Sequence, residues 1–159
     1  MSVAVRPATP GDSALILGFI RQLADYEQLA HEAQATEADI ARDLFGRVPR
    51  AFCDIAEADG QPVGFALWFY NYSTFQGRAG IYLEDLFVQP AARGAGAGKA
   101  LLQGLAQRCV AEGLGRLEWA VLDWNAPAIG FYDRLGAAAM DGWTARRLSG
   151  AALQQLGTA

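Results

Sequence analysis

The chain has 159 residues, 52% of them apolar and 19% charged, a composition that suits one folded domain with a sizeable core and excludes a disordered segment. A formal net charge of −4 and a pI near 4.9 argue against a nucleic-acid or anionic-membrane partner, because neutralising phosphates takes clustered Lys and Arg. No apolar run approaches the ~20 residues of a membrane span and the start lacks a charged-then-apolar leader pattern, so a soluble, cytoplasmic protein without a membrane partner is expected.

In chain order, Ser2 to Pro7 alternates enough for an opening strand. Thr9-Pro10-Gly11-Asp12 reads as a helix start, with Thr9 as cap, Pro10 in the first helical position and Asp12 in the dipole-favoured first turn. That helix is expected to reach about Tyr26, with Leu15, Ile16, Phe19, Ile20 and Leu23 on its apolar face. Thr36-Glu37-Ala38-Asp39 repeats the capping pattern before a short helix carrying Ile40, Leu44 and Phe45. From Asp25 to Asp43 six acids face a single base, Arg42. Most of this acidic stretch reads as solvated surface, with Glu27, beside Tyr26 at the helix end, as the exception.

Ala51 to Ala58 and Val63 to Tyr70 are rich in β-formers and are joined through Asp59-Gly60, a hairpin signal. A polar turn over Asn71 to Gly80 leads into a strand from Ile81 to Val88, so three consecutive antiparallel strands are expected. A helix of about Gly98 to Glu112 then stops at Gly113. Leu117 to Leu122 reads as a strand. Asn125 can cap a short helix that tolerates Pro127 in its first turn and stops at Gly136. Ala137 to Leu148 reads as one or two weaker strands, and Ser149-Gly150 opens a terminal helix through Leu156. Without repeats or linkers, residues 1–159 are expected to form one α/β domain: a mixed, mostly antiparallel sheet with helices on both faces.

The remaining segment, Arg93-Gly94-Ala95-Gly96-Ala97-Gly98-Lys99, carries the chemistry. Glycines here let the backbone adopt positive φ and turn several N–H groups towards one anion, and the following helix adds the positive end of its dipole. Spacing tests the rival motifs. A Walker A loop needs Gly where Arg93 stands and Ser or Thr where Ala100 stands, and counting Gly-x-Gly-x-x-Gly from Gly94 ends on Lys99, from Gly96 on Leu101. Both fail. Arg-x-x-Gly-x-Gly/Ala after a strand does fit, and it resembles the acetyl-CoA loop of the GNAT N-acetyltransferases. A tight turn without a ligand is the alternative for the loop alone.

Metal and hydrolase chemistry find little support. His31 is the only histidine and cannot make a metal site alone, Cys53 and Cys109 read as buried thiols, and no Gly-x-Ser-x-Gly elbow occurs, so no metal is expected.

The resemblance extends over nearly the whole chain. Arg6-Pro7-Ala8-Thr9, Leu23-Ala24-Asp25-Tyr26-Glu27, Tyr82-Leu83-Glu84-Asp85-Leu86-Phe87-Val88, the Arg93 loop and Val121-Leu122-Asp123-Trp124-Asn125 look like the spermidine/spermine and thialysine acetyltransferase branch. It implies the GNAT fold, whose central strands splay so that pantetheine can pair with Leu86, Phe87 and Val88, with pyrophosphate on Gly94 to Lys99 and further cofactor contacts at Arg93, Asn125, Ala128 and Tyr132. It implies acetyl-CoA as cosubstrate, a small primary amine as acceptor, and a homodimer. The amine would be bound among Tyr26, Glu27, Glu84, Asp85, Glu118 and Trp119.

Acyl transfer to an amine poses two proton problems. An ammonium with a pKa of about 10.4 must lose a proton, and the leaving thiolate must gain one. Glu84, in an otherwise apolar strand, is the expected catalytic acceptor. Its neighbour Asp85 should point to the opposite face unless a bulge intervenes. Tyr132 matches the family's general-acid position; a tyrosine filling a helix-sheet interface is the alternative. For the chain as a whole the alternative is a CoA-binding regulatory protein with a decayed active site, which would need neither Glu84 nor Tyr132. The polyamine-using members carry an aspartate where this chain has Ser73, in Tyr72-Ser73-Thr74-Phe75, which looks more like the thialysine type. The missing charge there, read as partly exposed, favours a compact amine over a long polyamine.

Overall fold

The computed structural model describes residues 2–159. They divide into two compact units, one running up to Ala120 and the other from Val121 to Ala159.

The first unit is built on a five-stranded sheet in the order β1 (Val3–Pro7), β2 (Phe52–Ala58), β3 (Gln61–Ser73), β4 (Arg78–Val88) and β5 (Leu117–Glu118). The first four strands are antiparallel neighbours, and β5 joins β4 in parallel. The hairpin between β2 and β3 turns on Asp59 (φ 50°) and Gly60 (φ 78°), both left-handed, as a two-residue turn matched to strand twist requires. At Gly64 the two long strands approach so closely that a Cβ would collide with the Phe87 carbonyl oxygen. Glycine is needed there, and it fixes the end of β4 just before the loop.

Helix α1 (Ser13–Tyr26) follows a single 3-10 turn, Pro10–Asp12. Thr9 caps that turn reciprocally with Asp12, whose carboxylate accepts the Thr9 N–H at 2.8 Å. Arg6 reaches the same carboxylate at 2.8 Å and Glu57 at 2.7 Å, tying β1 and β2 to the helix start. Helix α2 (Glu37–Phe45) carries the capping box read from Thr36 and Asp39. One face of the sheet packs on these helices: Ile16, Phe19, Leu23, Ile40 and Leu44 bury against Cys53, Ile55, Phe65 and Phe87, with the Phe19 and Phe65 rings stacked at 5.7 Å. Helix α3 (Ala97–Glu112) takes the alternate residues, its Arg108 lying over the Trp68 ring, and ends at left-handed Gly113 (φ 67°). Cys53 and Cys109 are buried free thiols.

The second unit holds α4 (Ala126–Arg134) and α5 (Gly150–Gly157). Two strand expectations are corrected. The strand expected over Leu117 to Leu122 shortens to Leu117–Glu118, and Ala137 to Leu148 contains no strand. Exposure gives the reason: Met140 and Trp143 have no apolar surface over them, and a weak hairpin is marginal in water without a third strand or a packed face.

Candidate active site

The glycine loop forms where the sequence locates it. After β4 a 3-10 turn (Pro90–Ala92) leads into Arg93 and the loop, in which Gly94 (φ 87°) and Gly96 (φ 90°) are both left-handed. Gly96 is the N-cap of α3 and offers no side-chain acceptor, so the first-turn N–H groups over Ala97, Gly98 and Lys99 point outward uncapped. A Cβ built at Gly94 or Gly96 meets nothing within 4 Å, so the space beside the loop is open to a ligand. Ala95 stands between these two glycines, Ala97 is buried, and Lys99 is exposed in the first turn. Arg93 ties the loop to its neighbours: its Nε donates to the Val88 carbonyl at 3.0 Å, and its guanidinium lies 4.7 Å from the Tyr26 ring and 5.9 Å from Phe87.

Beside the loop, β4 has a free edge. Its pairing with β5 covers only Ile81 and Tyr82, so among the described strands Leu83 and Asp85 to Val88, including Leu86, Phe87 and Val88, pair with β3 alone. Backbone donors and acceptors on such an edge suit an extended amide-bearing arm.

A bulge then arranges the acids. Trp68 pairs with Leu83 and Leu67 with Asp85, so Glu84 is the extra residue of β4. The insertion breaks the strict alternation that would separate Glu84 from Asp85. Asp85 is partly buried and Glu84 exposed. Burial first, then the charges of Glu84 and Glu27, push the Asp85 carboxyl up to about 7. Glu27, the C-cap of α1, is itself pushed up by burial. The chain leaves α1 through Gln28 in a left-handed conformation (φ 61°), a strained turn for a side-chain-bearing residue. Tyr26, Glu27, Glu84, Asp85 and Arg93 thus belong to one neighbourhood of the first unit.

Other predicted positions are engaged differently. Glu118, on β5, accepts from Asn71 Nδ2 at 3.1 Å and lies 2.8 Å from Arg116 Nε, with Trp119 following it. Ser73 is buried, and its hydroxyl accepts the Gln76 N–H at 3.2 Å, which corrects the partial exposure expected there. In the second unit Asn125 is the helix cap it was read as, its side-chain oxygen accepting the Ala128 N–H at 3.4 Å, and Tyr132 packs its ring 5.5 Å from Phe131 on α4. The raised carboxyl of Asp85 was missed in sequence, where two adjacent acids in a strand were the only cue.

The Acetyltransferase (GNAT) family model matches residues 19–137. The chain is 39% identical to a thialysine N-epsilon-acetyltransferase of Bos taurus, over 97% of this chain and 96% of the relative. It is 33% identical to L-ornithine N5-acetyltransferase NATA1 of Arabidopsis thaliana, over 96% of this chain and 86% of the relative. Among solved structures, an integron cassette protein from the mobile metagenome of V. cholerae matches with a TM-score of 0.84 and 26% identity, covering 100% of this chain and 99% of that one. The chain therefore belongs to the GNAT acetyltransferase family, and it is an N-acetyltransferase whose glycine loop and open β4 edge fit the acetyl-CoA that the family uses.

Proposed function

We propose that the protein transfers acetyl from acetyl-CoA to the terminal primary amine of a short side chain on a small molecule, of the thialysine, lysine-analogue or diamine type. The observation that carries this reading is the Glu84 bulge, which sets Asp85 beside two further acids and holds its carboxyl near neutrality. Bound acetyl-CoA supplies an activated acetyl group as a thioester. The loop from Gly94 to Lys99 holds the pyrophosphate through main-chain N–H groups, Arg93 braces it, and the edge of Leu86 to Val88 pairs with the pantetheine. Glu27 and Glu84 attract the cationic amine. Asp85, half ionised near pH 7, accepts a proton from the ammonium more readily than an ordinary carboxylate, because a proton acceptor works best near the working pH. This shifts the acceptor role from Glu84, first expected in it, to the pair Glu84 and Asp85. Tyr132 returns a proton to the departing thiolate, with Asn125 and Ala128 serving the pantetheine arm, as the family resemblance implies.

A compact amine rests on the names of the two relatives and on Ser73, whose hydroxyl serves a turn and presents no charge to a polyamine. The family match crosses the boundary at Ala120, which supports a single working domain. Aromatic rings at the β3–β4 tip, Tyr72 (61% exposed) and Phe75 (101%), and Trp143 (80%) in the second unit suit a homodimer, and free buried thiols suit the reducing cytoplasm. The deciding experiment mixes protein, acetyl-CoA and a panel of amines, and follows free thiol. Thialysine should be turned over with higher kcat/KM than spermidine or spermine. Tight CoA binding with no thiol release from any amine would instead favour a regulatory CoA-binding protein. A monomer by sedimentation at micromolar concentration would remove the dimer.

A further inference from the structure

At the end of β4 away from the glycine loop, β5 brings a second charged group onto the face that carries Asp85. Across the β3–β4 register Tyr82 faces Phe69 and Asp85 faces Leu67, and Phe69 and Leu67 are two residues apart, so Tyr82 and Asp85 share one face of the sheet. Glu118 pairs with Tyr82 across the parallel junction with β5. Burial first, then the charges of Glu84 and Glu118, push the Tyr82 hydroxyl up, so it lies within electrostatic reach of both acids. The stem of Arg116 crosses the same face over Gly80, where a Cβ would stand 3.1 Å from Arg116 Cγ and 2.8 Å from Asn71 Oδ1. Glycine makes room there for both side chains.

Arg116 and Glu118 form an ion pair held at its inner edge. Arg116 Nε lies 2.8 Å from Glu118 Oε1, and the side chains are 38% and 31% exposed. That contact is charge without hydrogen-bond alignment, since the buried Nε donates to no acceptor. The same Glu118 oxygen accepts from Asn71 Nδ2 at 3.1 Å, which steadies the carboxylate. Among the described residues Arg116 Nη1 and Nη2 and Glu118 Oε2 make no hydrogen bond, and none of the three is buried. A guanidinium fork and a carboxylate oxygen thus stand side by side at the surface.

Such a pair takes a zwitterion without being broken. A carboxylate on the Nη fork and an ammonium on Glu118 Oε2 set four charges in alternation. A diamine brings this place a second cation, which gains from Glu118 and loses to Arg116. Distance links the pair to the transfer site. Tyr82 and Asp85 are three residues apart, about 10 Å at ~3.3 Å per residue. The reacting nitrogen of thialysine is five bonds from its α-carbon, roughly 6–7 Å when extended, and the Asp85 and Arg116 side chains span the remainder. On the acetyl-transfer reading above, we propose that Arg116, with Glu118, selects the acceptor: its Nη fork binds the α-carboxylate of an amino acid whose terminal amine is acetylated, which favours α-amino acids over diamines of the same length.

Thialysine and its decarboxylated analogue, bis(2-aminoethyl) sulfide, present the same reacting amine and differ in the carboxylate. Each is measured on the intact protein by turnover with acetyl-CoA and by calorimetric binding with CoA present. Thialysine should show at least about tenfold higher kcat/KM, carried by KM, and at least about tenfold tighter binding. Arg116→Gln, checked for folding by circular dichroism, should bring both ratios to within about threefold of one by weakening thialysine, with the sulfide changed by less than about twofold. Arg116→Lys, which keeps the charge but not the fork, should retain part of the preference, and it serves if Arg116→Gln does not fold. Equal weakening of both amines in Arg116→Gln would mark a residue that merely braces β5 and would overturn the proposal. Ratios near one in the unmutated protein, with both amines turned over, would also overturn it and leave the transfer reading standing. If neither amine is acetylated while thialysine still binds more tightly through Arg116, the recognition stands and the transfer reading fails.

Discussion

The corner between β1 and α1 and the bulge of β4 each hold an aspartate in a protected place, and the two titrate about five pH units apart. Asp12 accepts from the Arg6 guanidinium and from the Thr9 N–H, and these partners hold its carboxyl down at about 2 against the cost of burial. Asp85 has the same chemistry and the opposite neighbours: burial and two acids push it up to about 7. Burial alone does not set the outcome, since it acts in the same direction on both. At Asp85 burial is the largest cause and the two acids add to it, whereas at Asp12 the hydrogen bonds from Arg6 and Thr9 outweigh it. One aspartate is therefore held as an anion that fastens the fold, and the other is poised to change charge near neutral pH.

The largest effect that could break this contrast is on turnover. Asp85→Asn should lower kcat by about 10² to 10⁴, the range for losing a positioned acid-base group, with acetyl-CoA affinity unchanged. Steady-state kinetics together with calorimetry separate the two. Next in size, Gly96→Asp should weaken CoA binding by at least about 10²-fold, because a side chain would be forced to φ 90° and its charge would face the phosphates. Unchanged affinity in the folded variant would reduce the loop to a turn.

Stability should separate the two aspartates by sign. An unfolded aspartate titrates near 3.9. Between about pH 2 and 4 the unfolded chain binds the extra proton at Asp12, so its contribution grows through that window and is complete above it. Between about pH 4 and 7 the folded protein binds the extra proton at Asp85, so stability falls as pH rises, and the loss is complete above 7. At pH 8, Asp12→Asn should destabilise by about 1–2 kcal/mol after allowance for solvent screening, and Asp85→Asn should stabilise by about 2–4 kcal/mol. Thermal denaturation of both variants measures this, and equal signs would undo the contrast. A smaller effect serves as reference: Thr36→Ala, which removes the cap of α2, should cost about 1 kcal/mol at any pH above 5.

The same contrast explains what could be read from the sequence. Local chemistry was legible: the caps at Thr9, Thr36 and Asn125, the Asp59-Gly60 hairpin, the glycine loop and the stop at Gly113 each depend on a few adjacent residues. Features set by distant partners were not. The bulge at Glu84 is a matter of register between β3 and β4, and it breaks the alternation that would separate Glu84 from Asp85. Ser73 looked like a missing surface charge, yet it sits buried as the acceptor of a turn. The strand expected over Ala137 to Leu148 had β-forming residues, but strand formation needs a neighbour, and Trp143 and Met140 remain exposed. The cluster of Asp54, Trp68 and Arg108 was invisible, since only the sheet and α3 bring the three together.

The most direct test of the central claim is the pH dependence of kcat with saturating acetyl-CoA and thialysine. The claim that Asp85 accepts the proton requires an ascending limb with an apparent pKa near 7 in the unmutated protein, and its loss in the residual activity of Asp85→Asn. An ascending limb near 7 that survives in Asp85→Asn, or a profile already flat from pH 5 to 8 in the unmutated enzyme, would contradict it.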